Sequence, residues 1–287
     1  MLRFPTLNPW VHPLKIGTNG KLNIILSQKS SDINSLSFHP VYFCHMGRTF
    51  VIGDVHSGLR ALQQVLERAA INGEDRLIFL GDYVDAWSDA VETVDFLIQL
   101  RQSHNCTLIR GNHDELCLEW LRGGTDNPLW LQHGGGATLA SYQKADADTK
   151  KKHILFYESL SNFHLDNQNR LFLHAGFTNL KGIEYEYFPQ TFYWDRTLWE
   201  LAQSLHPNMT KSDRYYPKRL SHYKEIYIGH TPISKTGVSE PKQAANVWNI
   251  DTGAAFKGPL SMLDVDTKKV WQSDPVHTLY PNESGRN

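Results

Sequence analysis

The chain is 287 residues long, 40% hydrophobic and 21% charged, with a formal net charge of −1. This is ordinary globular composition, enough for one sizeable core or one domain with an insertion, and its near-neutral balance without long charge runs argues against a nucleic-acid or membrane surface. Three cysteines (Cys44, Cys106, Cys117) are too few and uneven for a disulfide framework and point to a reducing, cytoplasmic setting, while fourteen histidines are many for this length.

Residues 1–45 differ from the rest of the chain. Pro5, Pro9, Pro13 and Pro40 interrupt short polar pieces. No charged start followed by an apolar core marks a signal peptide, and no apolar run reaches the length of a membrane span. Met46 stands just ahead of the first clear strand. The stretch reads as an N-terminal extension, either poorly ordered or an over-called start, before a functional domain over 46–275 and a C-terminal tail over 276–287.

Within that domain, five apolar runs each end in a cluster drawn from Asp, Asn, His and Gly. Thr49-Phe-Val-Ile52 runs into Gly53-Asp54-Val55-His56, and Leu77-Ile-Phe-Leu80 into Gly81-Asp82-Tyr83-Val84-Asp85. Thr107-Leu-Ile109 leads to Arg110-Gly111-Asn112-His113-Asp114, Leu171-Phe-Leu173 to His174-Ala175-Gly176, and Ile226-Tyr-Ile228 to Gly229-His230-Thr231. Short apolar runs bounded by such residues predict buried strands, and ligand sites in open α/β sheets lie at strand carboxyl ends.

Between the runs, Leu59, Leu62, Val65, Leu66 and Ala69 have helical spacing, with Ser57 as the expected N-cap. Asp89 with Glu92 reads as a capping pair for a second helix whose inner face is Val91, Val94, Leu97 and Ile98. This strand–helix alternation predicts parallel strands with helices packed outside. A short helix is expected over 115–121. Gly134-Gly-Gly136 could offer backbone N–H groups to an anion or form a plain turn. Residues 145–170 look polar and helical. A cap or insertion rich in aromatics, over about 183–222, includes Tyr185, Tyr187, Phe188, Phe192, Tyr193, Trp194 and Trp199. Asn246–Ile250 and Leu260–Val265 predict two further strands.

In order and spacing, GDVH, GDYVD, RGNHD, HAG and GHT resemble the calcineurin-like metallophosphoesterases, and GDYVD with RGNHD is similar to the bacterial phosphoprotein phosphatase branch. The likeness runs over roughly residues 46–270. It implies a four-layer α/β/β/α sandwich with its active site at strand carboxyl ends, and two divalent transition-metal ions, manganese first, with iron or zinc as alternatives. By resemblance Asp82 bridges the ions, Asp54 and His56 complete the first site, and Asn112, His174 and His230 the second. A mixed oxygen and nitrogen set suits these metals rather than calcium, and the absence of cysteine argues against structural zinc.

The resemblance also implies direct attack by a hydroxide held between the ions, with His113 as general acid and Asp85 as its partner carboxylate. Asp85 has a plainer alternative as a turn carboxylate. Arg110 and Arg196 are the implied phosphate-binding residues. Asp114 and His133 receive no role. One departure stands out: the branch has arginine directly after the second aspartate of GDxVD, and here that position is Ala86, followed by Trp87. The resemblance therefore implies a phosphomonoesterase acting on phosphoserine or phosphothreonine in proteins, or on small phosphate esters. HAG, GNHD and Asn249-Ile-Asp-Thr-Gly253 favour an alternative, a symmetrical dinucleoside tetraphosphate hydrolase. A non-catalytic metal-bound scaffold would predict an eroded ligand, and none is eroded.

Overall fold

The structure, a computed structural model, describes residues 47–286; the expectation for residues 1–45 lies outside these. In chain order the strands are β1 (Thr49–Ile52), β2 (Arg76–Phe79), β3 (Asn105–Leu108), β4 (Phe163–Leu165), β5 (Arg170–Leu173), β6 (Glu225–Ile228), β7 (Lys242–Ala244), β8 (Val247–Asn249), β9 (Ser261–Asp264) and β10 (Val270–Gln272). They form two five-stranded sheets, ordered β10-β9-β1-β2-β3 and β4-β5-β6-β8-β7. The pairs β1–β2, β2–β3, β5–β6 and β6–β8 are parallel.

Side-chain alternation along these strands explains the layering, since successive residues face opposite sides of a sheet. Val51, Ile78, Phe172 and Tyr227 face inward between the sheets, where the Phe172 and Tyr227 rings stack at 4.8 Å. Their neighbours Phe50, Ile52, Leu77 and Phe79 face outward onto α1 (Leu59–Arg68), α2 (Ala90–Ser103), α3 (Asn112–Leu121) and the helix Ala147–Glu158. On the other side, Leu171, Leu173, Ile226 and Ile228 face the helix Thr197–Ser204 and the aromatic-rich segment before it. The result is the expected four-layer α/β/β/α arrangement.

Both expected caps take other jobs. Ser57 has left-handed backbone (φ 59°), and Gly58 rather than Ser57 holds the N-cap position of α1. Asp89 does precede α2, but its side chain makes no capping bond and accepts instead from the Tyr280 hydroxyl at 2.6 Å. The helix expected over 115–121 starts earlier, at Asn112, so Asn112 and His113 ride on its first turn. Residues 163–165, expected to continue a helical region, form edge strand β4 because Phe163, His164 and Leu165 pair antiparallel with β5. In the aromatic-dense stretch, Ile183, Phe192, Tyr193 and Trp199 are buried against the second sheet, while Tyr185, Tyr187, Phe188 and Trp194 stay exposed. Among the described residues no helix is long and apolar enough to cross a membrane.

Candidate active site

The loops after the strands meet at one rim and are tied to each other through their main chains. The Asp82 carbonyl accepts from Val55 N–H at 3.0 Å and His56 N–H at 2.8 Å, and the Tyr83 carbonyl accepts from Ser57 N–H at 2.8 Å. Glycine is required where these loops touch. A Cβ on Gly81 (φ 106°) would lie 2.5 Å from Gly111 N, and one on Gly111 would lie 2.1 Å from Asp82 Oδ1. Asp114, given no role from sequence, fixes this junction: its buried carboxylate accepts from the N–H groups of Gly111, Asp82 and Tyr83, each at 2.8 Å. It thereby sets the spacing of the two loops that carry Asp82 and Asn112.

This packing brings together side chains from all five strand ends. Asp82 Oδ2 lies 3.5 Å from His56 Nε2 and 3.4 Å from His174 Nε2, while Asp82 Oδ1 accepts from His113 N–H at 3.0 Å. Asn112 Oδ1 is 3.2 Å from His174 Nε2 and 2.9 Å from His230 Nδ1. Asp54 Oδ2 lies 4.0 Å from His56 Nε2 and accepts from His230 N–H at 3.0 Å. Two groups have ligand-type atoms within 4.8 Å of one another, His56–Asp82–His113 and Asp82–His174–His230, and Asp82 is common to both.

The donor set fits divalent metal ions. The Nδ1–H of His56 donates to the Val84 carbonyl at 3.1 Å, and that of His174 to the Leu80 carbonyl at 2.8 Å. Backbone carbonyls can only accept, so in the neutral ring each Nε2 turns a lone pair toward the Asp82 carboxylate, a pairing that repels unless a cation lies between them. Burial holds all three rings, His56, His174 and His230, below their ordinary range and hence in the neutral, ligating form. Burial, then the charges of Asp251 and Asp82, pushes the Asp54 carboxyl well up. His230 Nε2 is buried without a hydrogen-bond partner.

Beside this cluster, His113 Nδ1–H donates to Asp85. Asp85 is fully buried and also accepts from Trp130 Nε1 at 2.7 Å and Thr138 Oγ1 at 2.6 Å. These bonds run to side chains of other segments, as an orienting group requires, rather than to its own turn. The glycine run seats one of them: a Cβ on Gly135 would meet the Trp130 indole at 2.5 Å.

The two expected arginines differ. Arg110 is engaged with the Glu115 carboxylate and donates to the Tyr157 carbonyl at 3.0 Å. Arg196 is exposed, reaches Thr231 Oγ1 at 3.4 Å, and its charge acts on His174 and His230. Exposed His133 lies within the influence of His113 and Arg286.

Sequence reasoning missed five residues here: Asp114, Trp130, Thr138, Asp251 and Arg286. Asp251 sits in the Asn249–Gly253 stretch and is buried, which pushes its carboxyl up to about 6. The glycine run was a signal for Trp130. Arg286 and Ala86 meet at Gly134, where an added Cβ would lie 2.6 Å from Ala86 N and 3.2 Å from Arg286 Cγ, and nothing in local sequence announces it.

Together, the paired sheets and the buried Asp, His and Asn cluster at their carboxyl ends define a metallophosphoesterase. The model of the calcineurin-like phosphoesterase family matches residues 47–254, and the chain belongs to that family. Metal-dependent hydrolysis of phosphate esters is the activity that goes with it. Similar curated proteins include the asymmetrical bis(5'-nucleosyl)-tetraphosphatase of Anoxybacillus flavithermus, 25% identical over 74% of this chain and 88% of that protein. Serine/threonine-protein phosphatase 1 of Salmonella typhimurium is 26% identical over 74% of this chain and 89% of its own length. Among solved structures, a putative diadenosine tetraphosphatase shares the fold with a TM-score of 0.54 at 16% identity, covering 80% of this chain and 94% of that one. A Saccharomyces cerevisiae serine/threonine phosphatase does so with a TM-score of 0.53 at 14% identity, covering 80% of each chain.

Proposed function

We propose that the chain is a dinuclear metallophosphatase of the phosphoprotein phosphatase type, releasing phosphate from phosphoserine or phosphothreonine in the cytoplasm. In this reading Asp54, His56 and Asp82 hold one metal ion, and Asp82, Asn112, His174 and His230 hold the other, with manganese preferred over iron or zinc. The ions, when bound, activate water and neutralise phosphoryl charge. His113 Nε2 supplies the proton that the leaving oxygen needs, and Asp85 keeps the ring oriented through Nδ1. Arg196 faces the phosphoryl group from the side of His230.

The observation that carries this reading is the His113–Asp85 pair, buried beside the cluster and braced by Trp130 and Thr138. A dedicated acid matters most when the leaving group is an alkoxide, as in a serine or threonine ester, because an unprotonated alkoxide leaves poorly.

A second reading, dinucleoside tetraphosphate hydrolysis, is favoured by the half-exposed Trp194 indole, whose centroid lies 6.3 Å from the His230 ring and could stack a base. The tetraphosphatase relative above is asymmetrical, so this reading is carried forward without the symmetrical cleavage expected from sequence.

Assay of the manganese-loaded protein on a phosphothreonine peptide, p-nitrophenyl phosphate and diadenosine tetraphosphate separates the readings. The peptide should be the best natural ester; a dominant rate on the dinucleotide would overturn the protein-phosphatase reading. His113→Asn should slow the peptide roughly 10²–10⁴-fold and p-nitrophenyl phosphate far less, since its leaving group hardly needs a proton. Equal losses on both would remove His113 from the acid role.

A further inference from the structure

We infer that Arg286 is a phosphate-binding residue of this site, delivered by the C-terminal segment to the loop whose own side chain there is only the methyl of Ala86. The inference rests on the metallophosphatase reading above and extends it to a part of the chain outside the family match.

The first support is position. Arg286 Nη1 lies 3.0 Å from His113 Nε2, the ring nitrogen not occupied by Asp85. The guanidinium charge acts on His56, His133 and Asp251, while that of Arg196 acts on His174, His230 and Asp251. The two arginines thus act on different histidines of the cluster, with Asp251 within the influence of both. A guanidinium has five N–H donors in a planar fork suited to phosphate oxygens, and the contact with His113 takes only one of its two terminal nitrogens.

The second support is the way the segment is held. The Tyr280 ring stacks on Trp87 at 5.3 Å. Glu283 accepts from Ser88 N–H at 2.9 Å and Ser88 Oγ at 2.7 Å. Gly285 (φ 64°) lies so close to Trp87 that a Cβ there would be 2.8 Å from its indole, and Arg286 N–H donates to the Ala255 carbonyl at 2.8 Å. The guanidinium itself sits 5.3 Å from the Phe256 ring centroid. Successive contacts converge on residues 87–88 and 255–256, beside the site. They give buried Trp87 its purpose: it is the platform on which the arginine-bearing segment is seated. A phosphoryl oxygen arriving at the cluster draws the guanidinium off His113 Nε2; that nitrogen, an acceptor while Arg286 donates to it, then takes a proton from solvent water before it can hand one to the leaving group. Residues 276–286 then belong to the catalytic unit.

Calorimetric binding of inorganic phosphate to the manganese-loaded full chain tests this independently of turnover. Arg286→Ala should weaken phosphate binding, and raise KM for p-nitrophenyl phosphate, by about 10–100-fold, as for loss of a charge-assisted hydrogen bond. Arg286→Lys should recover part of the loss, and the thermal midpoint should stay near wild type. If wild type hydrolyses esters and Arg286→Ala binds phosphate as wild type does, whatever its midpoint, Arg286 is a structural clasp and the inference fails while the phosphatase reading stands. If wild type binds phosphate in an Arg286-dependent way without turning esters over, the phosphatase reading fails, and of this inference only the phosphate contact of Arg286 stands. Absence of both binding and turnover in wild type sinks both.

Discussion

The two ends of the strands follow different rules. At the carboxyl ends, His56, Ser57, Asp82, Asp85, Ala86 and His230 all take left-handed backbone and all are buried. At the opposite end the same conformation falls on Ala70, Asn169, Ala245 and Lys268, in surface turns. Left-handed backbone in a non-glycine residue costs roughly 1–3 kcal/mol where the surroundings must enforce it. A turn in water can relax; six buried residues around one cluster cannot. The carboxyl-end strain survives because partners from other segments hold these residues: Asp114 the Asp82 N–H, Thr138 the Asp85 N–H, the Val84 carbonyl the His56 ring and Asp54 the His230 N–H. The difference shows which end is built for a ligand and which only closes the chain.

The sharpest way to break this contrast is Asp82→Asn. Activity should fall to the uncatalysed rate, and elemental analysis should find the bound metal largely lost; full occupancy in the variant would show that Asp82 is not the shared ligand. Next, each end has a buried aspartate whose carboxylate clasps backbone N–H groups of separate residues, Asp114 and Asp75, and removing them should separate stability from function. Asp114→Ala leaves three buried N–H groups without partners, each worth about 1–3 kcal/mol, and should lower both the thermal midpoint and metal affinity. At the other end, Asp75 accepts from Arg48 N, Nε and Nη2 and from Asn72 N. Asp75→Ala should lower the midpoint alone, with kcat unchanged; a matching loss of activity would erase the distinction.

Asp75 also predicts a pH effect. Burial pushes its carboxyl up, but the Arg48 side chain, with the Asn72 and Arg48 N–H groups, outweighs burial and holds it below the ordinary value. A carboxylate so depressed stabilises the fold fully above the unfolded value of about 4 and loses that contribution as pH falls through the folded one. Asp75→Asn should therefore flatten the acid-induced loss of stability below about pH 4, as followed by circular dichroism. The smallest effect should come from Ala70→Gly, which relieves left-handed backbone (φ 46°) in an exposed turn. It should change stability by less than about 1 kcal/mol, on the stabilising side, and leave kinetics untouched.

Much of the architecture was legible because burial writes itself into residue type. The runs at 49–52 and 226–228 are strands as expected, and their alternation between two cores needs only period two. The convergence of Asp54, His56, Asp82, Asn112, His174 and His230 could be anticipated because each follows a strand directly, so topology carries it to a common rim. Contacts made far along the chain left no such trace. Ser57 and Asp89 look like caps locally, yet the first is consumed by a left-handed turn and the second by Tyr280. Asp114 looks like a helix-start carboxylate, and only the folded loops show that it joins two strand ends. Ala86 showed that a cation was missing from the loop, but a one-residue departure cannot say that Arg286 lies beside it.

The seating of residues 280–286 against Trp87 has a practical side. A polyhistidine tag fused behind this segment would start within reach of His113, and its imidazoles would compete for the very ions under assay. A handle without imidazoles, or one cleaved before metal loading, lets metal stoichiometry be read without that interference.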